Sequence, residues 1–139
     1  MNGEQKVTRA VERANQRVRR YLARHLDELG ITEIEAHLLA RLGSKGPSTV
    51  AAVQDAFGLR GSTLTNALDR LERKGLLERQ IHQADRRTYL LALTGPGIAA
   101  ARQVVAMVDV LEARVAGRVT EDQLRAFHAV VAALEESLS

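Results

Sequence analysis

The chain has no cysteine and no tryptophan, and only two prolines, two tyrosines and two phenylalanines in 139 residues. Without cysteine there is no disulfide scaffold, no thiolate-ligated zinc and no cysteine-based redox sensing. With aromatics at 3%, the core must be aliphatic. A stacking platform of the kind that holds single-stranded nucleic acid is missing too. Long apolar runs are also absent. The N-terminus, MNGEQKVTRAVER, carries no apolar stretch that would make it a signal peptide. The most apolar long segment, Ile98–Val115, is interrupted by Arg102, Asp109 and Glu112 and cannot be a transmembrane helix. A soluble, cytoplasmic protein is expected. Also lacking are an H-x-x-x-H pair, a G-x-S-x-G elbow and a phosphate-cradling glycine loop. The four histidines and the scattered acids therefore give little ground for an enzyme, and no cofactor is expected.

What is present is an unevenly spread charge. The formal net charge is +3. Residues 60–90 hold seven basic side chains against four acidic ones, and residues 1–30 hold the same. Residues 91–139 hold four against six. The positive field thus lies on the first and middle parts of the chain, as a polyanion-binding protein would place it.

Helical periodicity dominates. Val7, Val11, Ala14, Val18, Tyr21, Leu22 and Leu29 recur at three- and four-residue spacing, predicting a helix over Glu4–Leu29 that Gly30 stops. Thr32 and Glu35 form a capping box for a helix over Glu33–Leu42. That helix should bury Ile34 and Leu38, with His37 or Leu39 beside them. Gly43–Pro47 reads as a turn cluster. Thr49 is suited to cap a short helix, Val50–Phe57; a tight turn, Gly58–Gly61, leads to a second, Ser62–Lys74. Two short helices joined through glycine make the helix-turn-helix pattern. Two β-prone runs follow, Leu76–Ile81 and Thr88–Leu93, around a polar tip, His82–Arg87. Thr94 caps a long helix from Ile98 to about Gly117, with Gly95, Pro96 and Gly97 in or near its first turn. Thr120 and Gln123 make a second capping box for the last helix. Its apolar face holds Leu124, Phe127, Val130, Val131, Leu134 and Leu138.

The fold expected is mainly α with a small β-hairpin wing: a winged helix-turn-helix over residues 32–93, with helices at 1–29 and 98–139 forming a dimerisation lobe. On the Ser62–Lys74 helix, Leu64, Ala67, Leu68 and Leu71 share one side and must face the core. Ser62, Thr63, Thr65, Asn66, Asp69, Arg70 and Arg73 are left outside or on the flanks. In major-groove docking, the first half of such a helix meets base edges. Asn66 can bond an adenine edge bidentately, and the methyl of Thr65 or Thr63 can pack on thymine. Arg70, one turn on, can reach a guanine or a phosphate. At the wing, Arg87 can enter a narrow minor groove. Asp85 can hold its guanidinium, and Arg86 can meet a phosphate. The terminal helices carry more apolar stripe than a small winged unit can cover, so a homodimer is expected.

The segment Leu59–Gly97, with LDRLERKGLLER, the Asp85-x-Arg87 wing, Leu93-Thr94 and Gly97, resembles the MarR family of transcription regulators. The likeness is strong over about residues 49–97 and looser over the whole length. It implies a homodimer, probing a pseudo-palindromic double-stranded DNA operator, with repression as the expected outcome. It also implies a small-molecule effector bound between the lobes that weakens DNA affinity. By the same resemblance, Thr65, Asn66 and Arg70 match base-contact positions of the recognition helix. Arg87 and Asp85 match the wing arginine and its partner, and Thr49 and Ser62 match helix starts that meet phosphates. Asn66 departs from the arginine often found in relatives, and Arg60 stands where a serine cap is usual. His25 and His37, on the first two helices, are the polar handles expected for an effector. Two alternatives stay open: a metal-responsive winged-helix regulator and a winged helix used only for protein contact.

Overall fold

The computed structural model describes residues 2, 6–59 and 61–139. Its elements, in order, are α1 (Val7–Leu29), α2 (Glu33–Lys45), β1 (Ser48–Thr49), α3 (Val50–Phe57), α4 (Ser62–Arg73), β2 (Leu77–Ile81), β3 (Tyr89–Leu93), α5 (Gly95–Ala116) and α6 (Glu121–Ser137). Two compact units result. One holds the residues up to Leu22 together with Val108–Ser139; the other holds Ala23–Met107.

The central unit is built on leucine. Leu38, Leu39 and Leu42 of α2, Val53 of α3, Leu64, Leu68 and Leu71 of α4, and Leu77 and Leu91 of the sheet are all buried. Burial of each such side chain contributes about 1.5–3 kcal/mol. The core face of α4 is the one its periodicity predicts: Leu64, Ala67, Leu68 and Leu71 are buried. Leu39, not His37, takes the buried place on α2, and His37 is exposed.

The capping residues act as expected. The Thr32 and Glu35 side chains each accept the other's backbone N–H. Thr49 accepts from the N–H of Ala52 at 3.1 Å, and Thr120 and Gln123 repeat the capping box. Gly30 adopts a positive φ of 66° directly after α1. Of the predicted first helix, Glu4 lies outside the described residues.

Two elements differ from expectation. α2 runs through Gly43, Ser44 and Lys45, so these belong to a helix and not to a turn. Gly43 persists there because α5 comes close: a Cβ at this position would sit 3.1 Å from the Cβ of Ala101. Ser48–Thr49 forms a third strand, so the wing is the edge of a three-stranded antiparallel sheet, not a free hairpin. β3 is central. Ser48 pairs with Leu91 and Thr49 with Leu90, while Leu77 pairs with Leu93 and Ile81 with Tyr89.

In the terminal unit the apolar stripes stay open to solvent. α6 buries none of its residues within the chain. Phe127 is 57% exposed, and Val130, Leu124, Val110 and Val115 are also exposed. Val7, Val11 and Val18 of α1 are exposed as well.

Candidate nucleic-acid interface

α4 leaves its polar residues outside. Ser62, Thr63, Thr65 and Asn66 are all exposed in its first turn and a half. The helix starts on Gly61, which has φ 68° and offers no side-chain cap. Arg60, whose effect on this start the sequence raises, lies outside the described residues. The Thr65 hydroxyl donates to the carbonyl of Gly61 at 3.2 Å, which orients its methyl and leaves the oxygen free to accept.

Arg70 has a different partner from the one expected. Its Nε donates to Glu35 Oε1 at 2.9 Å. Lys74 Nζ donates to Glu35 Oε2 at 2.7 Å and to the carbonyl of Gly30, also at 2.7 Å. Glu35 is fully buried. Burial alone would raise its carboxyl pKa. The hydrogen bonds from Lys74, Arg70 and the Thr32 backbone, with the charge of Lys74, outweigh that and hold it below the usual carboxylate range. One carboxylate therefore caps α2 and ties it to α4. Arg70 spends at least part of its guanidinium on this internal pair.

This hub was not read from the sequence. The capping box found Glu35 but could not show that Arg70 and Lys74, 35 and 39 positions away, converge on its carboxylate. The only signal was the register of the two cations, one turn apart at the end of α4. A second clamp was missed too. Arg79 of β2 meets Asp69 at 2.9 Å and Glu72 at 3.0 Å, which fastens the wing to the outer side of α4.

At the wing tip Asp85 and Arg87 lie together, through one ion-pair approach and a backbone bond and not through the bidentate pair a guanidinium can make. Asp85 Oδ1 accepts the backbone N–H of Arg87 at 3.1 Å and lies 3.6 Å from its Nε. The Arg87 side chain is 95% exposed, and Arg86 beside it is exposed. Thr49 is half-buried and engaged as the cap of α3.

His25 is half-buried on α1. His37 lies 3.8 Å from Glu33, with its ring 6.4 Å from that of Phe57. Among the described residues, no group of three or more histidine, aspartate or glutamate side chains could hold a metal ion. None of the helices there is long and apolar enough to cross a membrane.

A model of the MarR family matches residues 31–89, which span α2 to the start of β3. The MarR structure from E. coli superposes on 96% of this chain and 98% of its own, with a TM-score of 0.77 and 25% identity. The chain is similar to MarR-family proteins in this segment and in its fold. The HTH-type transcriptional repressor MdtR of Bacillus subtilis is 28% identical over 109 residues, 78% of this chain and 70% of its own length. A MarR variant from E. coli solved with operator DNA is 26% identical, with a TM-score of 0.78 over 92% of each chain. The S. aureus MepR–DNA complex shares the fold, with a TM-score of 0.82 at 22% identity over 95% of this chain and 98% of its own.

Proposed function

We propose that this chain is a MarR-family transcription regulator that binds double-stranded DNA as a homodimer and represses from a pseudo-palindromic operator. It acts by binding and not by catalysis, in the cytoplasm. The winged lobe over residues 32–93 reads DNA, and the helices at 1–29 and 98–139 make the dimer. The observation that carries the reading is the pairing, within one unit, of two exposed polar devices. One is the first half of α4, with Ser62, Thr63, Thr65 and Asn66 turned outward. The other is a hairpin tip with Arg87 held against Asp85. The E. coli relative solved with operator DNA supports it.

In this reading Asn66, Thr65 and Thr63 meet base edges in the major groove. Arg87 enters the minor groove, with Asp85 orienting it. Arg86, Ser62 and the N-terminus of α3 behind Thr49 meet phosphates. Arg70, tied to Glu35, adds affinity by holding α4 in place and offers its remaining N–H groups to the DNA. His25 and His37 stay assigned to effector contact.

Selection from a random duplex pool tests it. The expected product is a palindromic motif whose half-sites lie about one helical turn apart. Asn66→Ala should flatten the preference at one symmetric base-pair position and leave the rest. An unstructured pool after selection, or an unchanged motif with Asn66→Ala, refutes the corresponding assignment.

A further inference from the structure

His82 opens the wing tip, and the sequence assigned it no role. In the structure its Nδ1 accepts two backbone N–H groups, from Ala84 at 3.1 Å and from Asp85 at 3.2 Å. The backbone N–H of His82 donates to the carbonyl of Thr88 at 3.2 Å, closing the tip. The turn it shapes runs straight into the Asp85–Arg87 contact. A ring nitrogen can accept these bonds only while it lacks a proton, an arrangement that the neutral ring with its proton on Nε2 satisfies.

We propose that His82 is a positioning residue for the wing: its neutral ring orders the tip that presents Arg87, and protonation releases that order. The effect on DNA rests on the DNA-binding reading above. The charged neighbours are few. Asp85, Arg86 and Arg87 share the tip, and Glu78 and Arg79 lie down β2. Tyr89 is the one titratable residue on β3. Asp69 and Glu72, on the α4 face nearest β2, are engaged by Arg79. Two effects oppose each other on acidification. The imidazolium adds a positive charge near phosphates, which favours binding. It also deletes the two bonds that Nδ1 accepts from Ala84 and Asp85, which loosens the turn that places Arg87. The added charge sits on an exposed loop, screened within about 8 Å at physiological salt. The lost turn acts on the side chain that enters the groove. Loss of order therefore prevails.

His82→Asn separates the two effects. Its amide oxygen accepts from the backbone two residues on, as in an Asx turn, and does not titrate. The duplex selected by the wild-type protein at about pH 8 is titrated with wild type, His82→Asn and His82→Ala from about pH 8 down to about pH 5.5. At the upper end, His82→Asn should match wild type, and His82→Ala should bind roughly five- to tenfold more weakly. At the lower end, wild type should fall toward His82→Ala while His82→Asn holds. Parallel pH profiles for wild type and His82→Asn, or tighter wild-type binding in acid, would overturn the proposal. Amide resonances of Ala84 and Asp85 in the DNA-free protein give the second readout, and they should shift together with the His82 ring. If they stay fixed while the ring titrates, the positioning role is wrong. If no duplex is selected at any pH, the DNA-binding reading fails, and these resonances alone decide the geometry of the tip.

Discussion

Single side chains in this fold carry roles that differ in kind. Arg87 is almost wholly exposed, with its Nε 3.6 Å from Asp85 Oδ1. It adds little to stability, since an exposed ion pair contributes about 0–1 kcal/mol. Arg87→Ala should leave thermal unfolding unchanged and weaken operator binding by about 1–3 kcal/mol, most at A·T-rich flanks. Equal binding by mutant and parent in a salt titration would remove the minor-groove role. Glu35 is the reverse case. It is buried and its two cationic partners are each 37% exposed. Replacing it with glutamine leaves two cations unmatched, while the amide oxygen can still accept the Thr32 N–H. Glu35→Gln should cost about 1–3 kcal/mol, below the range for a fully buried pair because solvent still reaches Arg70 and Lys74. The sign of the pH dependence follows from the depressed native pKa. The contribution is complete above the ordinary carboxylate range and is lost as pH falls through the lower native value. In acid-unfolding curves the Gln variant should therefore lack part of the wild-type loss. Identical acid limbs for the two proteins would show that Glu35 is not ionised in the native state.

At the scale of elements, the start of α5 shows why two glycines so close together are not equivalent. A Cβ on Gly97 would lie 1.9 Å from the carbonyl oxygen of Leu76, whereas one on Gly95 would meet nothing within 4 Å. The same Leu76 carbonyl accepts the N–H of Thr94 at 3.2 Å, so the backbone there cannot retreat without breaking that bond. Thr94 further donates to the Gly75 carbonyl and accepts the Gly97 N–H. Gly97→Ala should thus destabilise by about 2–4 kcal/mol, and Gly95→Ala should be neutral or slightly stabilising. Denaturant midpoints of the two variants check this, and similar midpoints would contradict the close approach. The helices, their caps and the core face of α4 were legible in the sequence because each rests on local spacing: Thr32 with Glu35, Leu64 with Leu68 and Leu71. β1 was not, since two residues have no period of their own and Ser48–Thr49 becomes a strand only by pairing with Leu90 and Leu91. The helical stretch Gly43–Lys45 was hidden for a related reason. Glycine argues for a turn locally, and only the approach of Ala101 explains it. In the site, exposed polar positions could be assigned from the helical wheel, but the partner of Arg70 lay beyond any local pattern.

For the whole molecule, the decisive quantity is the apolar surface left on the terminal helices. Phe127, Val130 and Leu124 on α6, with Val110 and Val115 on α5, remain exposed in the single chain. Such a stripe is costly in water, and covering it with a second copy gives a two-fold, self-complementary interface. In the proposed function, two recognition helices related by that axis would read two half-sites. The second engagement would then be intramolecular and raise operator affinity by about 10²–10⁴ without any new contact. Phe127→Glu combined with Val130→Glu should block this surface while leaving the winged unit intact, because neither side chain belongs to the Leu-rich core. Wild type should sediment as a dimer at micromolar concentration and the double variant as a monomer. Operator affinity should drop by about 10²-fold or more, and the residual binding should no longer depend on the spacing between half-sites. A double variant that stays dimeric places the interface elsewhere. A monomeric variant that binds with full affinity and spacing dependence would show that one chain suffices, and that the open stripes serve some other contact.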